Sequence, residues 1–281
     1  MGKLLISLCF LISSCASANI SRIYDTKNSD YIPFDKFIDD LPTKGHIVIG
    51  EFHNDKLIQN AQAKIIKEKV TKNSLQGNFS LMWEFLNYTD QEKINSEYIK
   101  ISNGTHKASD FIKEMFGENN QSYSSIIDII SIQKGELYGI NLPRRLKQKV
   151  IKSGIQSIDP KFIPADLYIG GENYLKRFKD AMGSHVPEDM IDKYFLAQCL
   201  TDSVMAEQIH LNYSNPLNFV IAGSFHTDFY DGTVSRLKNN YSQVKTLKII
   251  NTNTLSTQEI NEILQGSEDY GVYADYVVLT K

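Results

Sequence analysis

Six short runs of the chain are apolar on both of their alternating faces, and no other feature restricts the fold as strongly. They are 46–50 (HIVIG), 79–86 (FSLMWEFL), 137–142 (LYGINL), 217–223 (LNFVIAG), 244–250 (VKTLKII) and 273–280 (YADYVVLT). A strand with water on one side alternates apolar and polar residues, whereas a strand apolar on both sides needs a helix layer over each face. Amphipathic segments fill the intervals, among them 55–72, 90–101, 123–134, 143–153 and 230–240. Thr89-Asp90 opens one of these, and Pro143 stands in the first turn of another. The pattern predicts an α/β fold: a mostly parallel β-sheet flanked by helices and joined by right-handed crossovers. Between about 155 and 215 the rhythm breaks, with helical patterns punctuated by Pro160, Pro164, Gly170-Gly171 and Pro187. This stretch reads as a smaller all-helical subdomain inserted before the fourth strand, its last long helix at 188–212.

The amino terminus is read apart from the fold. Lys3 is followed by an apolar stretch from Leu4 to Ile12, too short for a bilayer, which needs about 20 residues, but suited to the h-region of a secretory signal. Small residues lead into a cysteine in "ISSC" (12–15), the pattern of a bacterial lipobox. Cleavage before Cys15 would leave a lipidated cysteine, and two or three acyl chains anchor a soluble domain stably. Ala16, not Asp, follows the cysteine, so sorting points to the outer membrane of a Gram-negative bacterium. The expected organisation is a signal peptide over 1–14, a lipidated polar tether over 15–30, and one α/β domain over 31–281. The roughly 265 residues left after cleavage suffice for one large core. Cys9 leaves with the signal and Cys15 carries lipid, so Cys199 has no disulfide partner and reads as a core residue. A net charge of -3 and a pI near 6.1, with no basic stripe, give no pull toward nucleic acid.

Chemistry concentrates at strand ends. "GEFHND" (50–55) follows the first apolar run and "GSFH" (223–226) follows the fourth, so Gly-x-x-His is built twice. In an open parallel sheet, ligands bind beyond the carboxyl ends of the strands. Glu51, His53, Glu84, Asn141 and His226 therefore converge on one edge, and Asp202 on the helix feeding the fourth strand can join them. Two imidazoles with several carboxylates make a strand-edge pocket suited to general acid–base work or to a divalent metal.

The ordered blocks "VIGEFHND" (48–55), "LMWEFL" (81–86), "GINLPRRLKQKVIKSG" (139–154), "LAQCLTDSVMAEQI" (196–209) and "FVIAGSFHTDFYDGTVSRL" (219–237) resemble the ChaN-type haem-binding lipoproteins. These belong to the wider superfamily of Tiki metalloproteases and erythromycin-esterase-like proteins. The resemblance runs over most of the mature chain. It implies a non-catalytic lipoprotein that binds haem b non-covalently at a homodimer interface, through a tyrosine on iron, and serves haem uptake beside an outer-membrane haem receptor. The tyrosine is then expected in the helical subdomain, where "ADLYIGGENYLKRFKDAMGSH" (165–185) offers Tyr168 and Tyr174. Lys176, Arg177, Lys179 and His185 are candidate propionate partners. Tyr174 has Phe178 at i+4, an aromatic face for a flat macrocycle; Tyr168 lies in a Gly-flanked turn. Phenolate is a hard anion suited to ferric iron, and no Cys-x-x-Cys-His is present for covalent attachment. The alternative is a secreted metal-dependent hydrolase using Glu51, His53, Glu84 and His226. Many relatives carry paired histidines after the first block, and "NDKLIQNAQ" (54–62) has none.

Overall fold

The computed structural model describes residues 20–183 and 186–281. The signal, the Cys15 lipidation site and the His185 propionate expectation lie outside the described residues. Eight strands form one sheet: β1 (Ile20–Asp25), β2 (Asp30–Ile32), β3 (Gly45–Glu51), β4 (Phe79–Asn87), β5 (Glu136–Asn141), β6 (Leu217–Gly223), β7 (Val244–Asn251) and β8 (Tyr276–Thr280). Eleven α-helices accompany them among the described residues. They are α1 (Phe34–Asp40), α2 (Lys56–Lys72), α3 (Gln91–Ser102), α4 (Ala108–Phe116), α5 (Ser124–Ile132), α6 (Arg144–Ser153), α7 (Glu172–Met182), α8 (Ile191–Leu211), α9 (Ser224–Thr227), α10 (Gly232–Asn240) and α11 (Thr257–Gln265).

The strand order is β2-β1-β8-β7-β3-β6-β4-β5. Neighbours from β8 to β5 pair in parallel, and only β1 pairs antiparallel, with β8 and β2. The mostly parallel α/β fold expected from the doubly apolar runs is the fold observed. Ile47 and Ile49 of β3 pack into a core with Ile58 and Ile65 of α2 and Ile127 of α5. Val48 between them faces the opposite way, toward Met205 of α8 and Val234 of α10. Helix α2 begins where Asp55 accepts hydrogen bonds from the Leu57 and Ile58 backbone amides, satisfying two orphan donors of the first turn.

From β3 the chain winds to one side, through β4 to β5, and returns as β6 beside β3; from β6 it winds to the other side. The reversal makes the carboxyl ends of β3 and β6 the topological switch point, where such sheets bind ligands. The insertion holds α7, α8 and short 3-10 turns, with no strand among its described residues. Its α8 packs on α6 through Leu146, Val150, Ala197, Leu200 and Val204. No helix among the described residues is long and apolar enough to cross a membrane.

The expected tether to residue 30 needs correction. Ile20–Asp25 is a strand of the sheet, pairing with β8 and burying Ile23. Ser21 and Arg22 are exposed while Ile23 is buried, as fits an antiparallel strand near an edge. The last strand also begins later than expected, at Tyr276, because Tyr273 to Asp275 form the approach to it.

Candidate functional site

At the switch point Glu51 sits in register with Gly223, bringing both Gly-x-x-His segments to adjacent strand ends. Glu51 is buried and fully engaged. Tyr123, just before α5, donates its hydroxyl to Oε1 at 2.9 Å, and Gln62 of α2 donates to Oε2 at 2.7 Å. His53 Nδ1 lies 2.9 Å from the same Oε1. That hydrogen bond to Glu51, working against burial, raises the affinity of His53 for its proton. Burial and the Glu51 carboxylate push the Tyr123 hydroxyl far above its ordinary range, so it stays a donor.

Gly223 is required by close approach, not by a turn. A Cβ there would lie 3.0 Å from His53 Nε2 and 3.4 Å from Glu84 Oε2. Gly50 is similar: a Cβ there would lie 2.3 Å from Thr227 Oγ1.

The second half of the cluster is a buried relay. His226 Nδ1 is 2.7 Å from Asp202 Oδ1 and His226 Nε2 is 3.3 Å from Glu84 Oε1. Burial alone would lower the His226 pKa, but Glu84 and Asp202 together outweigh it and hold it at about 10. Reciprocally, burial would raise Glu84, yet the His226 charge and the Gly223 amide, which donates to Oε2, bring it to about 2. Asp202 also accepts hydrogen bonds from Tyr174 at 2.7 Å and from Thr233 at 3.0 Å. Gln198 joins the group by donating from Nε2 to the Tyr174 hydroxyl at 3.2 Å.

Glu51, His53, Glu84, Asp202 and His226 are thus brought together as the strand ends required. His226 turns both ring nitrogens to carboxylates, Asp202 and Glu84, which together favour its protonated form. Among the described residues no group of three or more His, Cys, Asp or Glu is arranged to hold an ion. The residues that sequence reasoning missed are Tyr123, Gln62 and Thr233. Gln62 comes from the helix that follows β3, Tyr123 from the turn before α5 and Thr233 from α10, and nothing local marks their side chains as facing the strand ends.

A cleft of about 860 Å³ opens beside the cluster, its lining including His53, Glu84, Asn141, Arg144 and Lys147. Lys147 donates to Asn141 Oδ1 at 3.1 Å. Burial lowers its pKa, partly countered by Glu84 and Asp202.

In the helical subdomain the structure separates the two tyrosines. Tyr174 is buried against Phe195 and Phe225, its hydroxyl is given to Asp202, and burial followed by the Asp202 charge pushes its pKa well above the ordinary value. The expectation of Tyr174 as an iron ligand is therefore corrected for this fold, because its i, i+4 face with Phe178 is core. Arg177 is corrected likewise. It is buried, its guanidinium lies 4.3 Å from the Phe225 ring centroid, it donates to the Phe225 carbonyl, and it faces Asp231. Lys176 is exposed and pairs with Asp269 at 3.0 Å. Lys179 lines a second hollow, with Glu188 and Asp192. Tyr168 is 45 % exposed, beside Ile169 at 43 %. Cys199 is fully buried as expected, its thiol pushed up to about 12 by burial.

A mostly parallel sheet with a carboxylate–histidine relay at its switch point and a helical insertion defines the class. The chain belongs to the family described as haem-binding uptake, Tiki superfamily, ChaN, whose model matches residues 37–237. Among solved structures it is similar to ChaN of Campylobacter jejuni, reported with cofacial haem, at 21% identity and a TM-score of 0.71 over 92% of this chain and 96% of that one. Weaker likenesses join it to a mutant of the erythromycin esterase EreC, at 12% identity and a TM-score of 0.44 over 92% and 82%. A Bacillus cereus protein follows at 10% identity and a TM-score of 0.43 over 84% and 71%. No curated protein matches the sequence at a significant level.

Proposed function

We propose that this protein is a non-catalytic, haem-binding lipoprotein of the outer membrane, lipidated at Cys15, which takes haem b as cargo for uptake and passes it to a membrane haem receptor. The iron ligand in this reading is Tyr168, and haem lies between two copies of the chain. One observation carries the choice of residue: of the two tyrosines in 165–185, Tyr168 is the exposed one, and Tyr174 is committed to Asp202. The surroundings of Tyr168 fit the group. Its hydroxyl lies 3.6 Å from where a Cβ on Gly171 would stand, so the glycine keeps that side of the phenol open. Ile169 supplies exposed apolar surface next to it. The ring is braced from beneath by Arg236, whose guanidinium lies 5.2 Å from its centroid and is itself tied to Ser203 and the Cys199 carbonyl. Lys176 and Lys179 are exposed cations of α7 available to a propionate, Lys176 once released from Asp269. The Campylobacter protein, described with cofacial haem, supports the dimeric arrangement. A flat macrocycle with two apolar faces would also leave one face wet on a single small subdomain, so covering it with a second copy ties binding to dimerisation.

The test is a hemin titration of wild type, Tyr168→Phe and Tyr174→Phe. Phenylalanine keeps the ring and removes the donor atom, so Tyr168→Phe is expected to lose the phenolate-to-iron charge-transfer band. Tyr174→Phe is expected to keep the band. Sedimentation is expected to show dimer only with hemin. An unchanged spectrum in Tyr168→Phe overturns the assignment.

A further inference from the structure

We infer that the strand-edge cleft is a second ligand site, separate from the haem surface, and that it takes a small flat carboxylate such as an aromatic acid. Its volume, about 860 Å³, is ample for such a molecule. The sign of the ligand follows from which charged groups in the lining are already satisfied. Glu84 is held by the Gly223 amide and by His226. Asp90 accepts from Asn87 at 2.9 Å and from Thr89 at 3.3 Å. The unspent groups are cations. Lys147 uses one of its three donors, on Asn141. Arg144, exposed at the start of α6, makes no hydrogen bond or ion pair among the described residues and keeps its whole planar fork. The two cations are three residues apart on one helix, so they share a face and can converge on one carboxylate.

The shape of the ligand follows from the aromatic part of the lining. Phe85 and Phe116 stand edge to face, their centroids 5.4 Å apart, and His53 meets Phe85 edge-on at 5.0 Å. Partly exposed rings of this kind offer flat apolar surface to an aromatic body whose charge reaches α6. The haem reading uses neither these cations nor these rings, and Tyr168 is not part of the cleft.

The chain carries its own reporter. Trp83 is the single tryptophan, buried and stacked on Phe85 at 5.7 Å with 23° between the rings. Benzoate titrated into the haem-free full domain is expected to change Trp83 fluorescence saturably, while benzamide, the neutral isostere, is expected neither to do so nor to compete. Arg144→Gln, a change at an exposed side chain, is expected to weaken benzoate binding by roughly tenfold or more, the size of one lost charge-assisted hydrogen bond. Lys147→Gln is expected to act in the same direction. Absence of saturation with benzoate up to the low millimolar range, equal binding of benzamide, or an unchanged affinity in Arg144→Gln overturns the inference. So does loss of the hemin band in Arg144→Gln, which would make the cleft part of the haem site. Failure of the Tyr168 assignment leaves the benzoate result untouched, so the two readings fail separately.

Discussion

At the scale of single residues, the least comfortable group in the molecule is His46, at the opposite end of β3 from the site. It is fully buried, neither ring nitrogen has a hydrogen-bond partner, and it lies among the rings of Tyr213 and Tyr241 at 5.1 and 4.4 Å. The Tyr241 hydroxyl is already paired with His210 at 2.7 Å. Burial lowers the His46 pKa from 6.5 to about 4. Between those values the unfolded chain binds a proton that the folded chain refuses, so stability is lost as pH falls from 6.5 toward 4 and levels off below. The full effect is on the order of 3 kcal/mol. His46→Phe keeps an aromatic ring and removes the titration. It is expected to be about 1 kcal/mol more stable than wild type near pH 7, where only the orphan nitrogens are relieved, and to gain about 2 kcal/mol more by pH 5. Urea denaturation of both proteins at the two pH values checks this; parallel pH slopes would refute it. The shifts at His53, Glu84 and His226 are common to both proteins and cancel in the comparison. This residue also marks a limit of sequence reading. "HIVIG" shows where His46 sits, but whether a buried polar atom finds a partner depends on side chains from distant segments. The same limit hid the inward turn of Tyr174 and Arg177, since a helix sequence shows its faces and not which one meets the core.

At the scale of elements, the sheet ends on β5, and an open edge invites pairing with another chain. Here α3 closes it. Gln91 donates from Nε2 to the Leu137 carbonyl at 2.9 Å and accepts from the Gly139 amide at 3.0 Å, so one carboxamide replaces a missing strand. Tyr98, a turn and more further along, donates to the Gly135 carbonyl. Gln91→Ala is expected to cost about 1–2 kcal/mol and to speed hydrogen exchange at the Gly139 amide while the β3 and β6 amides stay protected. Unchanged protection at Gly139 would show that the cap is not what shields the edge. The parallel strands were all legible in sequence because burial on both faces forces runs of apolar residues. The antiparallel strands β1 and β2 were not, because β1 is only partly buried and β2 buries no residue, so neither forms a continuous apolar run. The strand-end carboxylates and histidines were legible for the first reason as well: topology alone gathers them once the strands are known. Their partners Tyr123 and Gln62 come from helices and needed the fold.

At the scale of the whole molecule, the amino-terminal strand is the part of the fold that the proposed lipid anchor would reach first. If Cys15 carries lipid, residues 16–19 are all that separate it from β1, a reach of at most about 17 Å. The domain then rides close to the bilayer with its β1–β2 end nearest. This differs from a loose tether in a way that deletion can measure. Removing residues 1–19 leaves all eight described strands whole, and the thermal midpoint is expected to stay as in the longer chain. Removing residues 1–32 takes away β1 and β2. It uncovers Ile23's place in the core, the β8 ladder from Tyr276 to Thr280, and the bonds from Thr26 to Ala274 and Asp275. Loss of the Ile23 burial and of those hydrogen bonds is expected to cost about 3 kcal/mol or more. The consequence reaches past stability, because β8 becomes a bare edge of buried valines, Val277 and Val278, and such an edge pairs with copies of itself. The shorter protein is therefore expected to aggregate or to elute as oligomers without hemin, whereas the dimer proposed for haem transport needs hemin to form. Size exclusion of both truncations with and without hemin separates the two kinds of association. A monomeric, equally stable protein lacking residues 1–32 would show that the sheet does not depend on its first two strands and would restore the longer tether.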